Sequence, residues 1–149
     1  MRVVLQRVTQ AIVEVNGASV GEINSGLLLF VAVAKGDTQK DVDQLVDKIC
    51  KLRIFSDGGP SFMEKNIIDV EGSILVVSQF TLYGNTQKGT RPDFTLSAPF
   101  AEAEGLYEYM IRKFLEKEIH TESGSFGDHM EISLINDGPV TLIIDSNKK

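Results

Sequence analysis

Two short stretches hold most of the side chains and backbone groups that could do chemistry. The first is Ser78-Gln79-Phe80-Thr81 and the second is Asn136-Asp137-Gly138-Pro139-Val140-Thr141. Ser78 and Thr81 are hydroxyls three positions apart, but a hydroxyl attacks an acyl carbon only when a base takes its proton. No base neighbours either one in sequence. The chain has two histidines, His120 and His129. Neither sits in a metal-ligand spacing, and no Gly-x-Ser-x-Gly elbow is present. The glycine-rich phosphate loops are also missing. Pairs such as Asp41/Asp43 and Glu102/Glu104 read as solvated helix faces. What remains is a site that positions a substrate and offers backbone donors to a developing oxyanion. The plain alternative is a strand end with a buried Phe80. Gly138-Pro139 also reads two ways. Asp-Gly between apolar strands is a hairpin signal, and that is the plainer reading. Pro139 lacks an amide donor and Gly138 lacks a side chain, so the pair could instead be a rigid device that aims two carbonyls into a pocket.

The elements around these stretches follow from periodicity. The 149 residues suit one domain, spanning 1–149, and 42% hydrophobic residues suffice for a core. Residues 2–8 and 11–15 alternate as strands, and Asn16-Gly17 turns into a third strand at 18–23. Residues 27–34 are continuously apolar, which predicts a strand buried on both faces. Val42, Leu45, Val46, Ile49 and Leu52 recur at helical spacing, so 38–51 forms an amphipathic helix with Asp37 or Thr38 as its cap. Residues 74–80 form an apolar strand that delivers Ser78 and Gln79. Residues 83–97 form a polar, functional loop. Pro99 opens a second helix that runs to about Ile119. Strands at 130–135 and 140–145 flank Gly138-Pro139, and residues 147–149 are a frayed tail. Two helices among seven or eight strands predict an α+β fold with mostly antiparallel sheet, closing partly into a barrel.

Charge and cysteine usage bound the function. A net charge of −6 opposes non-specific binding to nucleic acid, yet leaves room for a small basic patch on one end of an RNA. Cys50, the one cysteine, excludes an internal disulfide and a cysteine-based zinc site; it reads as a buried thiol. The N-terminus lacks the order of a signal peptide and no apolar run is long enough to span a membrane. A soluble cytoplasmic protein without a cofactor is expected.

Taken together, Ser78-Gln79-Phe80-Thr81-Leu82 and Asn136-Asp137-Gly138-Pro139-Val140-Thr141 resemble the two signature motifs of the D-aminoacyl-tRNA deacylase family. Leu5-Gln6-Arg7-Val8-Thr9-Gln10-Ala11, Arg53-Ile54-Phe55-Ser56-Asp57, Arg91-Pro92-x-Phe94 and Gly124-x-Phe126-Gly127 also match, in order, so the resemblance covers almost the whole chain. The resemblance implies a homodimeric hydrolase of the ester joining a D-amino acid to the 3′ acceptor end of tRNA, active also on the glycyl ester. It implies that Ser78, Gln79, Phe80 and Thr81 line the pocket of one subunit while Gly138-Pro139, with a cis bond, reaches in from the other. Ala103 then corresponds to a pocket alanine, Met130 packs near the cross-subunit motif, and Arg7 holds that motif's orientation. Thr81 as nucleophile and assistance by the adjacent ribose hydroxyl, with an oxyanion site at the Phe80 N–H, are two mechanisms for such a family. The lack of a base beside Thr81 favours the second. Lys88 and Arg91 in the polar loop are the candidate tRNA contacts. Asp128 departs from the family pattern, which has a small or apolar residue there. Two other functions compete: a non-catalytic binding or editing module of the same fold, and a hydrolase of free D-amino acid derivatives, which would not need Lys88 or Arg91.

Overall fold

In the computed structural model, which describes residues 1–146, six strands and two α-helices follow one another as β1 (Arg2–Val15), β2 (Ala18–Ile23), β3 (Gly26–Ala32), α1 (Gln39–Lys51), β4 (Ser73–Ser78), α2 (Phe100–Glu116), β5 (Thr121–Ser123) and β6 (Glu131–Asp145). A single-turn 3₁₀ helix, Phe80–Tyr83, follows β4. The expected tail at 147–149 lies outside the described residues. Among the described residues, no helix is long and apolar enough to cross a membrane.

β1 organises the sheet. Its first half pairs with β3 and its second half with β2, while β6 runs along the opposite edge. These three pairings are antiparallel; β3–β4 and β4–β5 are parallel. The sheet is therefore mixed, and only its β1-centred part is antiparallel. β3 is buried on both faces, as its unbroken apolar run predicts: Leu27, Leu29 and Val31 face the helices and Leu28 faces a second cluster with Val8, Val13 and Leu75. The second cluster exists because the sheet curls. A Cβ at Gly21 in β2 would lie 2.5 Å from the Ser123 carbonyl oxygen in β5, so the two ends of the ladder come into contact without pairing. That is the partly closed barrel.

The helices cover one face. Thr38 caps α1, and Asp41 returns a hydrogen bond from the Thr38 N–H at 2.9 Å. Val42, Leu45, Val46, Ile49 and Cys50 are buried beneath it, and burial pushes the Cys50 thiol up to about 11. α2 ends at Glu116, short of the expected Ile119. The Ile119 N–H bonds the Phe114 carbonyl and the Glu118 N–H bonds the Leu115 carbonyl around Glu118 at φ +60°. This is a Schellman stop with Glu in place of glycine, so the usual sequence signal is missing. Leu115, next to the fully buried Phe114, is exposed.

The hairpin reading of Asn136–Thr141 is corrected. Residues 131–145 are one strand, and its two halves pair with β1 rather than with each other. Register jumps from Gln6↔Thr141 to Val8↔Asn136, so residues 137–140 arch away opposite the single residue Arg7. β1 is one 14-residue strand that templates both halves, a long-range effect that local turn propensity cannot report.

Closing the barrel through Gly21 has a measurable consequence. G21A should cost about 1–3 kcal/mol in urea unfolding, because the added methyl meets a backbone carbonyl that cannot rotate aside. An unchanged midpoint would show that β2 and β5 separate freely.

Candidate active site

β4 leads into the site. Its last residue, Ser78, and the following Gln79 and Phe80 border a cleft of about 480 Å³. β3 supplies Val31 and Ala32 on one side, α2 supplies Ala103 and Tyr107 beneath, and the segment before β6 supplies Phe126 and Met130. Five of the residues singled out from the sequence thus meet in one place: Ser78, Gln79, Phe80, Ala103 and Met130.

The local geometry explains why. The Gln79 N–H donates to the Val31 carbonyl at 2.8 Å, extending the β3–β4 ladder one residue past the strand. The chain then tightens into the 3₁₀ turn, with the Leu82 N–H on the Gln79 carbonyl at 3.2 Å and the Gly84 N–H on the Thr81 carbonyl at 2.9 Å. Phe80, as the first residue of that turn, has no acceptor for its N–H within the turn. Phe80 is 57% exposed rather than buried, which overturns the plain strand-end reading, and its ring stacks edge-on against Phe94 at 5.1 Å. Thr81 lies beside the cleft without lining it, and the Gln79 side-chain amide donates to its hydroxyl. An amide nitrogen cannot take a proton, so this neighbour is no general base.

Tyr107 forms the floor. Its hydroxyl donates to the Val76 carbonyl at 2.8 Å, and burial pushes its pKa far upward. It is a neutral, fixed phenol. Phe126 packs against Tyr107 and Phe100 with ring centroids at 5.3 and 4.9 Å. The sequence reading did not assign Tyr107, Phe100 or Phe126 to the site. The available signal was the pair of glycines around Phe126. A Cβ at Gly124 would lie 2.7 Å from the Met130 sulfur, and one at Gly127 would lie 2.8 Å from the Phe100 ring. His129 and Asp128 stand exposed at the rim, and Asp128 accepts a hydrogen bond from the Ser125 hydroxyl. His120 lies away, beside Glu122 at 3.5 Å. Among the described residues, no three His, Cys, Asp or Glu side chains converge as a metal would require.

Arg7, Gly138 and Pro139 do not line this cleft. They form a second feature on the β1–β6 edge. Arg7 is 8% exposed; its Nε donates to the Asp137 carbonyl at 3.1 Å and lies 3.2 Å from the Asp137 carboxylate, and its Nη1 donates to the Ile54 carbonyl. The Gly138–Pro139 bond is cis, Gly138 has φ +114°, and both residues are exposed. Lys88 and Arg91 are exposed in the loop closed by the Asn85↔Asp93 bridge, and neither makes an ion pair among the described residues.

The family model for D-Tyr-tRNA(Tyr) deacylase matches residues 4–145. The chain belongs to that family. A D-aminoacyl-tRNA deacylase of Clostridium tetani (strain Massachusetts / E88) is 51% identical over 148 residues, and one of Thermosipho africanus (strain TCF52B) is 47% identical, each alignment covering 99% of either chain. Among solved structures, a c-Myc DNA Unwinding Element Binding Protein superposes with a TM-score of 0.92 at 37% identity, covering 99% of this chain and 100% of that one. A "probable eukaryotic D-amino acid tRNA deacylase" superposes at 0.83 with 19% identity, over 97% and 98%, a likeness of fold alone. The family match at residues 4–145 spans both the cleft-forming segments and the Gly138 arch.

The arch can be probed directly. A Cβ at Gly138 would sit 2.7 Å from Arg7 Nη2, on a backbone that L residues rarely adopt. G138A should therefore cost about 1–3 kcal/mol in chemical denaturation. In an R7A background the steric share should vanish, so the double mutant loses less than the sum of the singles. Strict additivity would show that Arg7 does not support the arch.

Proposed function

We propose that this chain hydrolyses the ester bond of D-aminoacyl-tRNA, releasing the D-amino acid and free tRNA, and that it acts likewise on glycyl-tRNA carrying glycine on the wrong tRNA. The observation that carries this reading is the cleft bordered by Ser78-Gln79-Phe80 in a chain that matches D-aminoacyl-tRNA deacylases over 99% of its length. The reaction takes place in the cytoplasm, where aminoacyl-tRNA is made and used.

The active form in this reading is a homodimer with the site at its interface. Two features support it. β6 is a 15-residue strand whose one strand partner among the described residues is β1, and its outer face exposes Ile135 and Ile143 at 58% and 69%. A long, apolar, open edge of this kind calls for a cover. Gly138 and Pro139 are exposed and lie outside their own subunit's cleft, so a second copy is what could present them to it. Their backbone carbonyls would hold the substrate α-amino group and collide with any side chain of L configuration. Rejection by backbone works for every side chain, which is what discrimination by chirality requires. Glycine, having no side chain, would pass.

Catalysis then rests on placement. Water attacks the ester carbonyl carbon, the bond to the ribose oxygen breaks, and the proton returns to that oxygen. The neighbouring ribose hydroxyl assists the proton transfer, and the Phe80 N–H donates to the oxyanion. Ser78, Gln79, Ala103 and Met130 shape the cleft around the aminoacyl-adenosine, Arg7 holds the arch, and Thr81 supports the turn rather than attacking. Lys88 and Arg91 meet the phosphates of the acceptor end, which lets an acidic protein engage RNA locally.

Purified protein incubated with D-tyrosyl-tRNA and L-tyrosyl-tRNA should clear the D ester and leave the L ester. Equal loss of both would refute the chiral filter, and survival of both on a folded dimer would leave a binding module. Thr81→Ala should keep kcat within about tenfold of wild type. Removing a true covalent nucleophile costs about 10⁶ in a serine protease, so abolition of turnover with folding and binding intact would make Thr81 the nucleophile.

A further inference from the structure

The 3₁₀ turn that presents the Phe80 N–H is clamped from behind by Arg2. Arg2 opens β1 opposite Ala32 of β3 and Asp145 of β6. Its Nε and Nη2 donate to the two Asp145 carboxylate oxygens at 2.8 and 3.2 Å, a fork-to-fork pair. The remaining Nη1 donates to the Leu82 carbonyl inside the turn at 3.3 Å, and the guanidinium lies 5.4 Å from the Tyr83 ring centroid. One planar group thus joins the start of β1, the end of β6 and the last two residues of the turn.

The coupling to the cleft runs through three peptide planes, Leu82–Tyr83, Thr81–Leu82 and Gln79–Phe80. The Leu82 N–H bonds the Gln79 carbonyl at 3.2 Å. That carbonyl shares its rigid peptide unit with the Phe80 N–H, which points the opposite way. Fixing Leu82 therefore fixes the direction in which the Phe80 N–H points. The geometry points to Arg2 as a positioning residue for the reaction, acting through Leu82 on the Gln79–Phe80 peptide and touching no substrate. The inference rests on the deacylase reading for its kinetic consequence, but not for its structural one.

R2K separates positioning from stability. Lysine keeps a cation beside Asp145, but one nitrogen cannot bind both carboxylate oxygens and the Leu82 carbonyl together. The expected result is a kcat for D-tyrosyl-tRNA lowered about tenfold or more, as small misplacements in a site produce. KM should change by less than about twofold, since substrate contacts are untouched. The melting temperature should hold, and the backbone amide resonances of Phe80 and Thr81 should move while those of α1 stay in place. Y83L, which removes the ring beside the guanidinium and keeps the Asp145 pair, should act in the same direction and serves if R2K folds poorly. Wild-type kcat with unmoved Phe80 and Thr81 resonances in both variants would overturn the inference. If the wild-type protein itself spares D-tyrosyl-tRNA, the deacylase reading fails, while the resonances still decide whether Arg2 orients the turn.

Discussion

Strand β1 is hydrogen-bonded along both edges, and the rest of the fold depends on that constraint. Its first half buries Val3 and Leu5 and its second half buries Ala11 and Val13 at alternate positions, so neither half can slip by one residue without turning its buried set outward. β3 and β2 take one edge and β6 takes the other. Of the two arginines in its first half, Arg2 lies on the half-exposed alternation and Arg7 on the buried one with Val3 and Leu5, and both need acceptors. Arg2 finds them in Asp145 and the 3₁₀ turn, and Arg7 finds them in Asp137 and Ile54. One strand thereby holds both the cleft-forming turn and the Gly138 arch in register.

The polar groups in and beside the cleft are held by neighbours or stand at its rim. Tyr107 is kept neutral by burial, the Gln79 amide and the Thr81 hydroxyl occupy each other, and the one imidazole at the rim stands exposed. The apolar part of the lining, with Ala103, Tyr107, Phe126 and Met130, lowers the local dielectric, and a hydrogen bond from a backbone donor is worth more there. In the proposed reading, rate enhancement comes from orientation and fixed dipoles, which needs rigidity more than it needs reactive side chains. The ladder bond from Gln79 to Val31 and the tight turn after it supply that rigidity.

Much of the fold was legible locally. The double-sided burial of β3, the amphipathic α1 with its Thr38 cap and the polar loop around Lys88 and Arg91 follow from patterns within each segment. The failures share a cause. Asp137-Gly138 carries a hairpin signal, but β1 is long enough to capture both flanking halves, and pairing with a distant strand outweighs turn propensity. α2 stops at a Schellman turn built on Glu118, where no glycine announces it. Phe80 looks like a core residue by type, yet the 3₁₀ turn rotates it outward against Phe94. Neither Tyr107 nor Phe126 was assigned to the site, and only their convergence shows that they floor a cleft.

The amino-acid sequence by itself determined the α+β class and the family, because element type and motif spacing are written in local order. Tertiary structure alone decided that Ser78, Gln79, Phe80, Ala103 and Met130 share one cleft while Gly138 and Pro139 stand outside it. It also decided that the sheet is mixed and curls until β2 meets β5. These are questions of which distant backbone groups satisfy one another, and that competition is settled only when the whole chain packs.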